Sequence, residues 1–183
     1  VIISKNTLKV KYMKKVIICM LNSQYIHSGL APWCLFAGVK KYCKEDIEAK
    51  VIESNINYDI SKLCDEILEQ KPDIIGLCCY IWNIEKTTEL AADLKKAKPQ
   101  VSILFGGPEV SYDSAEFMQK HAFLDFLIYG EGEGVFAQWC GALENGGDMA
   151  AIDGLVCRTD DAVTAGNPQT PVAFGESEFP YGA

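Results

Sequence analysis

The chain has 183 residues, 49% apolar and 23% charged, with 17 Lys and Arg against 25 Asp and Glu for a net charge of −8. That length and balance suit one globular domain with a real core. The acidic surplus argues against nucleic acid as a main partner and against an anionic membrane surface, because both need a basic face. No apolar window is long enough to span a bilayer.

Residues 1–14 mix lysines with apolar residues and lack a cleavage-site pattern, so they read as an N-terminal extension, not a signal peptide. A short apolar run at 15–21 predicts a buried strand, followed by the loop NSQYIHSGLA. Pro32 suits the first turn of a helix, and Leu35, Phe36, Val39 and Tyr42 recur at helical spacing behind it. Residues 47–53 predict a second strand. Asp59 is placed to cap a helix whose Ile60, Leu63, Cys64, Ile67 and Leu68 form one apolar stripe, and Pro72 stops it.

Residues 74–80 (IIGLCCY) predict a third strand, a helix over 84–98 buries Leu90, Ala91 and Leu94, and residues 101–105 predict a fourth strand. Asp113 with Glu116 three residues later predicts a capped short helix. A fifth strand at 126–129 runs into GEGEG. A helix over 133–145 then buries Val135, Phe136, Trp139 and Leu143, and Gly146 and Gly147 close it. After about residue 150, LVCR and AVTAG flank TDD as a small hairpin, and a Pro- and Gly-rich arm follows to 183.

Strands this short and apolar, alternating with amphipathic helices, predict an α/β fold. The expected architecture is a doubly wound, five-stranded parallel sheet of flavodoxin-like (Rossmann-like) order 2-1-3-4-5. The expected division is extension 1–14, α/β domain 15–150, and hairpin with linker 151–183. Eight cysteines sit mostly in apolar segments with no C-x-x-C spacing, so they read as reduced thiols of a cytoplasmic protein.

In such a sheet, ligands bind outside the carboxyl ends of the strands. Four loops converge there: NSQYIHSG, YIWN, GGPEVS and GEGE. Gly106 and Gly107 either let a ligand lie against bare backbone or mark a tight turn forced by Pro108. His27 is either a metal-ligating imidazole or an ordinary polar loop residue. Tyr80 and Trp82 are candidate walls of an apolar pocket, as is Trp33, for which simple packing is the better reading. Glu131 and Glu133 would cap a helix or bond to ligand hydroxyl or amide groups. A phosphate-cradling P-loop and a dinucleotide G-x-G-x-x-G are both absent.

Taken together, the stretch from IIGLCCYIWN through ILFGGPEVS, then DFLIYGEGEGVF, IDGLVCR and FPYGA, resembles the N-terminal cobalamin (B12)-binding domain of radical S-adenosylmethionine proteins. The resemblance implies a base-off cobalamin at the C-terminal edge of the sheet, its tail passing bare backbone at Gly106 and Gly107. Pro108 and Glu109 would lie near the tail or corrin edge. Tyr80, Trp82 and Asn83 would line the pocket, with Gly130, Glu131 and Glu133 at its rim, and His27 as a candidate cobalt axial ligand. Three departures stand out: Tyr25 occupies the place of an Asp in the wider fold's D-x-H-x-x-G, Gly29 comes one residue early in it, and Leu77-Cys78-Cys79-Tyr80 matches the fold's S-x-L poorly.

No C-x-x-x-C-x-x-C occurs, so the resemblance places the [4Fe–4S] cluster, S-adenosylmethionine and the radical SAM barrel in a region beyond this chain. The chain alone is then expected to catalyse nothing. It would present cobalamin to its own C-terminal radical SAM domain in a methyltransferase-like enzyme. The rival expectation is a degenerate domain that has become a docking or substrate-gating module.

Overall fold

The computed structural model describes residues 13–25, 27–43, 47–159 and 162–169. Among the described residues, fourteen elements follow one another: β1 (Lys14–Asn22), α1 (Leu30–Tyr42), β2 (Ile47–Asn55), α2 (Ile60–Glu69), β3 (Ile74–Cys78), α3 (Ile84–Ala97), β4 (Ser102–Gly106), α4 (Pro108–Ser111), α5 (Ser114–Lys120), β5 (Phe126–Ile128), α6 (Gly132–Asn145), a 3₁₀ turn (Met149–Ala151), β6 (Leu155–Arg158) and β7 (Val163–Ala165).

β1 sits inside the sheet and is buried on both faces. Its odd residues Ile17, Cys19 and Leu21 join one apolar cluster, and its even residues Val16, Ile18 and Met20 join the other. Helices α2, α3 and α5 cover the first face through Leu63, Ile67, Leu90, Leu94 and Met118. Helices α1 and α6 cover the second through Val39, Val135, Phe136 and Trp139. The result is three layers, as continuous apolar strands require.

β1 to β5 are parallel in the order β2-β1-β3-β4-β5, as the sequence predicts. The strand count differs from the expected five. β6 pairs antiparallel with β5, and β7 with β6, so one sheet carries seven strands. The physical reason is the free edge of β5. A three-residue strand with unpaired backbone groups needs a neighbour, and Leu155 and Val156 are both fully buried in supplying it.

Local chemistry explains most element ends. Asp59 caps α2 by accepting from the backbone N–H of Lys62 at 3.1 Å. Gly146 closes α6 at φ +69, the left-handed turn that glycine adopts without strain. Asp113 precedes α5 as expected, but its side chain makes no capping bond. At the sheet's N-terminal edge, Lys95 Nζ donates to Asp125 and to the Val101 carbonyl at 2.8 Å, and Arg158 Nε donates to the Leu124 carbonyl at 2.8 Å. That edge is tied shut by these bonds. The expected extension up to residue 12 and the arm beyond residue 169 lie outside the described residues. No helix among the described residues is long and apolar enough to cross a membrane.

Candidate functional site

A cavity of about 440 Å³ opens at the carboxyl ends of β3, β4 and β5, beneath the first turns of α1 and α6. Ala31 and Leu35 wall it from α1, Cys78 and Tyr80 from the end of β3, Leu104 and Gly106 from β4, and Ile128 from β5. Gly107, Pro108 and Ser111 form one side of its mouth, and Gly130, Glu131, Gly132 and Glu133 the other. The volume is ordinary for a small-molecule site, about 300–1,000 Å³.

The two glycines after β4 have different reasons. Gly107 has φ +122, and a Cβ there would stand 2.3 Å from the Cys79 carbonyl oxygen. The chain's own backbone therefore demands that glycine. Cys79 N–H also donates to the Gly106 carbonyl at 2.7 Å, so the exits of β3 and β4 are locked together. Gly106 is unconstrained by comparison: a Cβ there would meet nothing closer than Ile128 Cβ at 3.7 Å. Its missing side chain leaves the cavity floor open.

Tyr80 is in the wall because Asn83 holds it there. The Asn83 side-chain oxygen accepts from the Tyr80 N–H at 2.8 Å, and its amide donates to the Leu21 and Cys78 carbonyls at 2.9 and 3.0 Å. Asn83 is thus a buried brace across the β1 and β3 exits, behind the wall. Trp82 stacks on Tyr80 with ring centroids 4.6 Å apart and 12° between planes. It lies outside the cavity lining and is 43% exposed.

The cavity interior is uncharged. Burial pushes the Cys78 thiol up to about 12, with the Glu53 carboxylate adding to the rise, so it stays a neutral thiol. Burial likewise raises Tyr80, helped by the neighbouring thiols and Glu133. Glu131 and Glu133 place acid at the mouth, where α6 begins. A neutral, apolar group fits this site better than a buried anion does. Among the described residues, no cluster of His, Cys, Asp and Glu is arranged to hold a metal ion.

Of the expected site residues, the cavity brings together Tyr80, Gly106, Gly107, Pro108, Gly130, Glu131 and Glu133. Glu109 instead faces a smaller groove beside Tyr112 and Asp113. His27 is exposed and lines a separate polar cleft of about 430 Å³ with Asn22, Tyr25, Ser28, Glu53 and Tyr58. Trp33 is in neither lining, and its indole donates to Glu53 Oε2 at 2.9 Å.

Sequence reasoning missed Glu53, at the end of β2. Its carboxylate accepts from Asn22 Nδ2 (2.9 Å), Ser28 Oγ (2.8 Å), the Gly29 N–H (2.8 Å) and Trp33 Nε1 (2.9 Å). Burial alone would raise this acid, but those hydrogen bonds hold it below the ordinary glutamate value. Glu53 thereby fixes the loop between β1 and α1. Its only signal in the sequence was an acid ending an apolar strand. Leu35 lies on the predicted α1 stripe and Ile128 in the predicted fifth strand, and nothing in their spacing marks them as facing a void.

An α/β sheet with an apolar cavity at its carboxyl edge defines a small-molecule-binding domain. The B12 binding domain family model matches residues 35–139, and the chain belongs to that family. A cobalamin-dependent radical SAM methyltransferase, TokK from Streptomyces tokunonensis, is 32% identical over 108 residues, 58% of this chain and 16% of that protein. An anaerobic magnesium-protoporphyrin IX monomethyl ester cyclase of Synechocystis is 33% identical over 70 residues, 38% of this chain and 14% of that protein. Among solved structures, the cobalamin-dependent S-adenosylmethionine radical enzyme OxsB with aqua-cobalamin and S-adenosylmethionine superposes with a TM-score of 0.70 at 18% identity. That superposition covers 90% of this chain and 23% of OxsB. The chain thus spans less than a quarter of the length of these proteins.

Proposed function

We propose that this chain binds cobalamin base-off, with the detached benzimidazole tail in the cavity between the sheet and helices α1 and α6. The observation that carries the reading is the bare floor at Gly106, open to a cavity of mostly apolar lining in a B12 binding domain. Leu35, Leu104 and Ile128 would pack against the tail, and Pro108 and Glu131 would flank it at the mouth. The stacked Tyr80 and Trp82 would offer an apolar edge to the corrin. Bound cobalamin supplies a cobalt atom that can carry a methyl group. The protein's part is to exclude water from the tail and to hold the corrin at the sheet edge, facing a partner domain.

The name of the TokK relative supports the larger setting: a radical SAM protein, methyltransferase-like, whose [4Fe–4S] and S-adenosylmethionine domain we place in a region outside this chain. Tyr25 stands where a carboxylate would hold and orient the His27 imidazole, so the cobalt is read as carrying no imidazole from this chain.

The test is a visible-absorbance titration of hydroxocobalamin with the 183-residue chain and its Gly106→Leu and His27→Ala variants. The expected result is a saturable change to a base-off spectrum. Gly106→Leu, which fills the floor without a backbone clash, weakens binding at least about tenfold, the loss of roughly 1.4 kcal/mol. His27→Ala leaves the spectrum unchanged. A folded wild-type chain that gives no spectral change would leave the docking-module reading standing instead.

A further inference from the structure

Beyond β7 the chain turns back across the cavity's rim. Gly166 N–H donates to the Leu155 carbonyl at 2.8 Å, Gly154 N–H donates to the Asn167 carbonyl at 2.8 Å, and Tyr129 hydroxyl donates to the Gly166 carbonyl at 2.8 Å. These bonds deliver Gln169 to the loop between β5 and α6. There its carboxamide acts as a strand neighbour would: Oε1 accepts from the Glu131 N–H at 2.9 Å, and Nε2 donates to the Glu131 carbonyl at 2.8 Å.

Two glycines make room for that carboxamide. A Cβ on Gly130 would stand 2.8 Å from Gln169 Oε1, and a Cβ on Gly154 would stand 2.3 Å from Gln169 Nε2. Both glycines have positive φ, +88 and +80. The left-handed backbone fixes glycine at the first G of GEGE, and the carboxamide of a residue 39 positions away occupies the space beside it. Gln169 itself does not line the cavity, whereas Gly130, Glu131 and Gly132 do.

We propose that Gln169 is a positioning residue for cofactor binding: it clamps the Gly130–Gly132 rim from behind, so the cavity mouth is preformed for a nucleotide tail. This rests on the cobalamin reading above. A rim held through both backbone polar groups of Glu131, in two consecutive peptide units, cannot swing without breaking two hydrogen bonds. An unclamped rim would have to be ordered by the tail on binding, at the tail's expense in affinity.

The test compares wild type, Gln169→Ala and Gln169→Glu in three measurements: binding of cobalamin, binding of cobinamide (the corrin without its nucleotide tail), and amide hydrogen exchange at Glu131 and Gly132 without ligand. The expected result for Gln169→Ala is about tenfold weaker cobalamin binding, cobinamide binding within about twofold of wild type, and faster exchange at the two rim amides. Gln169→Glu keeps the acceptor for the Glu131 N–H but loses the donor, and falls between. Unchanged cobalamin binding with faster exchange overturns the inference, as does equal weakening of both corrins, which would mark a general fold defect. Failure of the wild type to bind cobalamin overturns the tail-cavity reading and this inference with it.

Discussion

Glu53 illustrates how much one side chain can organise. It is a partly buried carboxylate satisfied by four donors from β1, the following loop and α1. Hydrogen bonds to a charged acceptor contribute about 1.5–3 kcal/mol each at most, and less when solvent shares the site. Glu53→Gln, which sets an amide against those donors, is expected to cost about 2 kcal/mol at pH 7. Because the folded-state value is depressed, this stabilisation is complete above the ordinary glutamate value and is lost as pH falls through the lower folded value. Urea denaturation of both proteins at pH 7, 5 and 4 should show a gap that is constant down to pH 5 and starts to close only below the ordinary glutamate value. A gap that stays constant down to the lowest pH at which both fold would show that the charge is not what matters. The glycine pair carries the complementary lesson. Gly106 and Gly107 look equivalent in the sequence, yet one is bare for the Cys79 carbonyl and the other for the cavity.

At the scale of elements, α1 and α6 approach backbone to backbone beside the cavity. A Cβ on Gly38 would lie 2.8 Å from the Glu133 carbonyl oxygen. Gly38→Val should therefore push the first turn of α6 away, moving Gly132 and Glu133 in the cavity wall. Overpacking of this kind costs about 1–3 kcal/mol. Chemical denaturation should read that loss, and the hydroxocobalamin titration should show weaker binding in the variant that remains folded. Intact binding would mean that the wall does not depend on this helix contact. Periodicity made the helices themselves legible: of the α2 stripe, Ile60, Leu63, Cys64 and Ile67 are buried and Leu68 is half-buried, under an Asp59 cap. Periodicity did not reveal that Gly38 is a contact surface, since an isolated glycine in a helix carries no partner in its spacing. Asp113 had a capping pattern as good as that of Asp59, yet makes no capping bond.

At the scale of the whole molecule, residues 155–165 complete the sheet that the first five strands begin. A chain ending at residue 150 would strip Leu155 and Val156 from the two apolar clusters and leave β5 with an open edge. It is expected to be aggregated or to lose its near-ultraviolet circular dichroism and to melt below a chain ending at residue 169. Equal melting of the two truncations would show that the hairpin is dispensable. The polarity of the molecule also belongs to this scale. One sheet edge is tied by Lys95, Asp125 and Arg158, and the opposite edge is left to glycines and a cavity. That is where a parallel sheet with covered faces leaves space for a ligand.

By itself the sequence determined the layers and the order of the parallel strands, because apolar runs and helical stripes are local patterns and right-handed crossovers leave few ways to assemble them. It also pointed to the sheet edge at which the glycine loops meet. Tertiary structure alone decided the rest. It joined the hairpin to β5, separated His27 from the cavity, gave Gly107 to Cys79 and Gly106 to the open floor, and brought Glu53 and Gln169 to loops they do not adjoin in the chain. Each of those outcomes depends on contacts between residues far apart in sequence, and no local pattern encodes which distant backbone atom will fill the space beside a glycine or accept the bonds of a carboxamide.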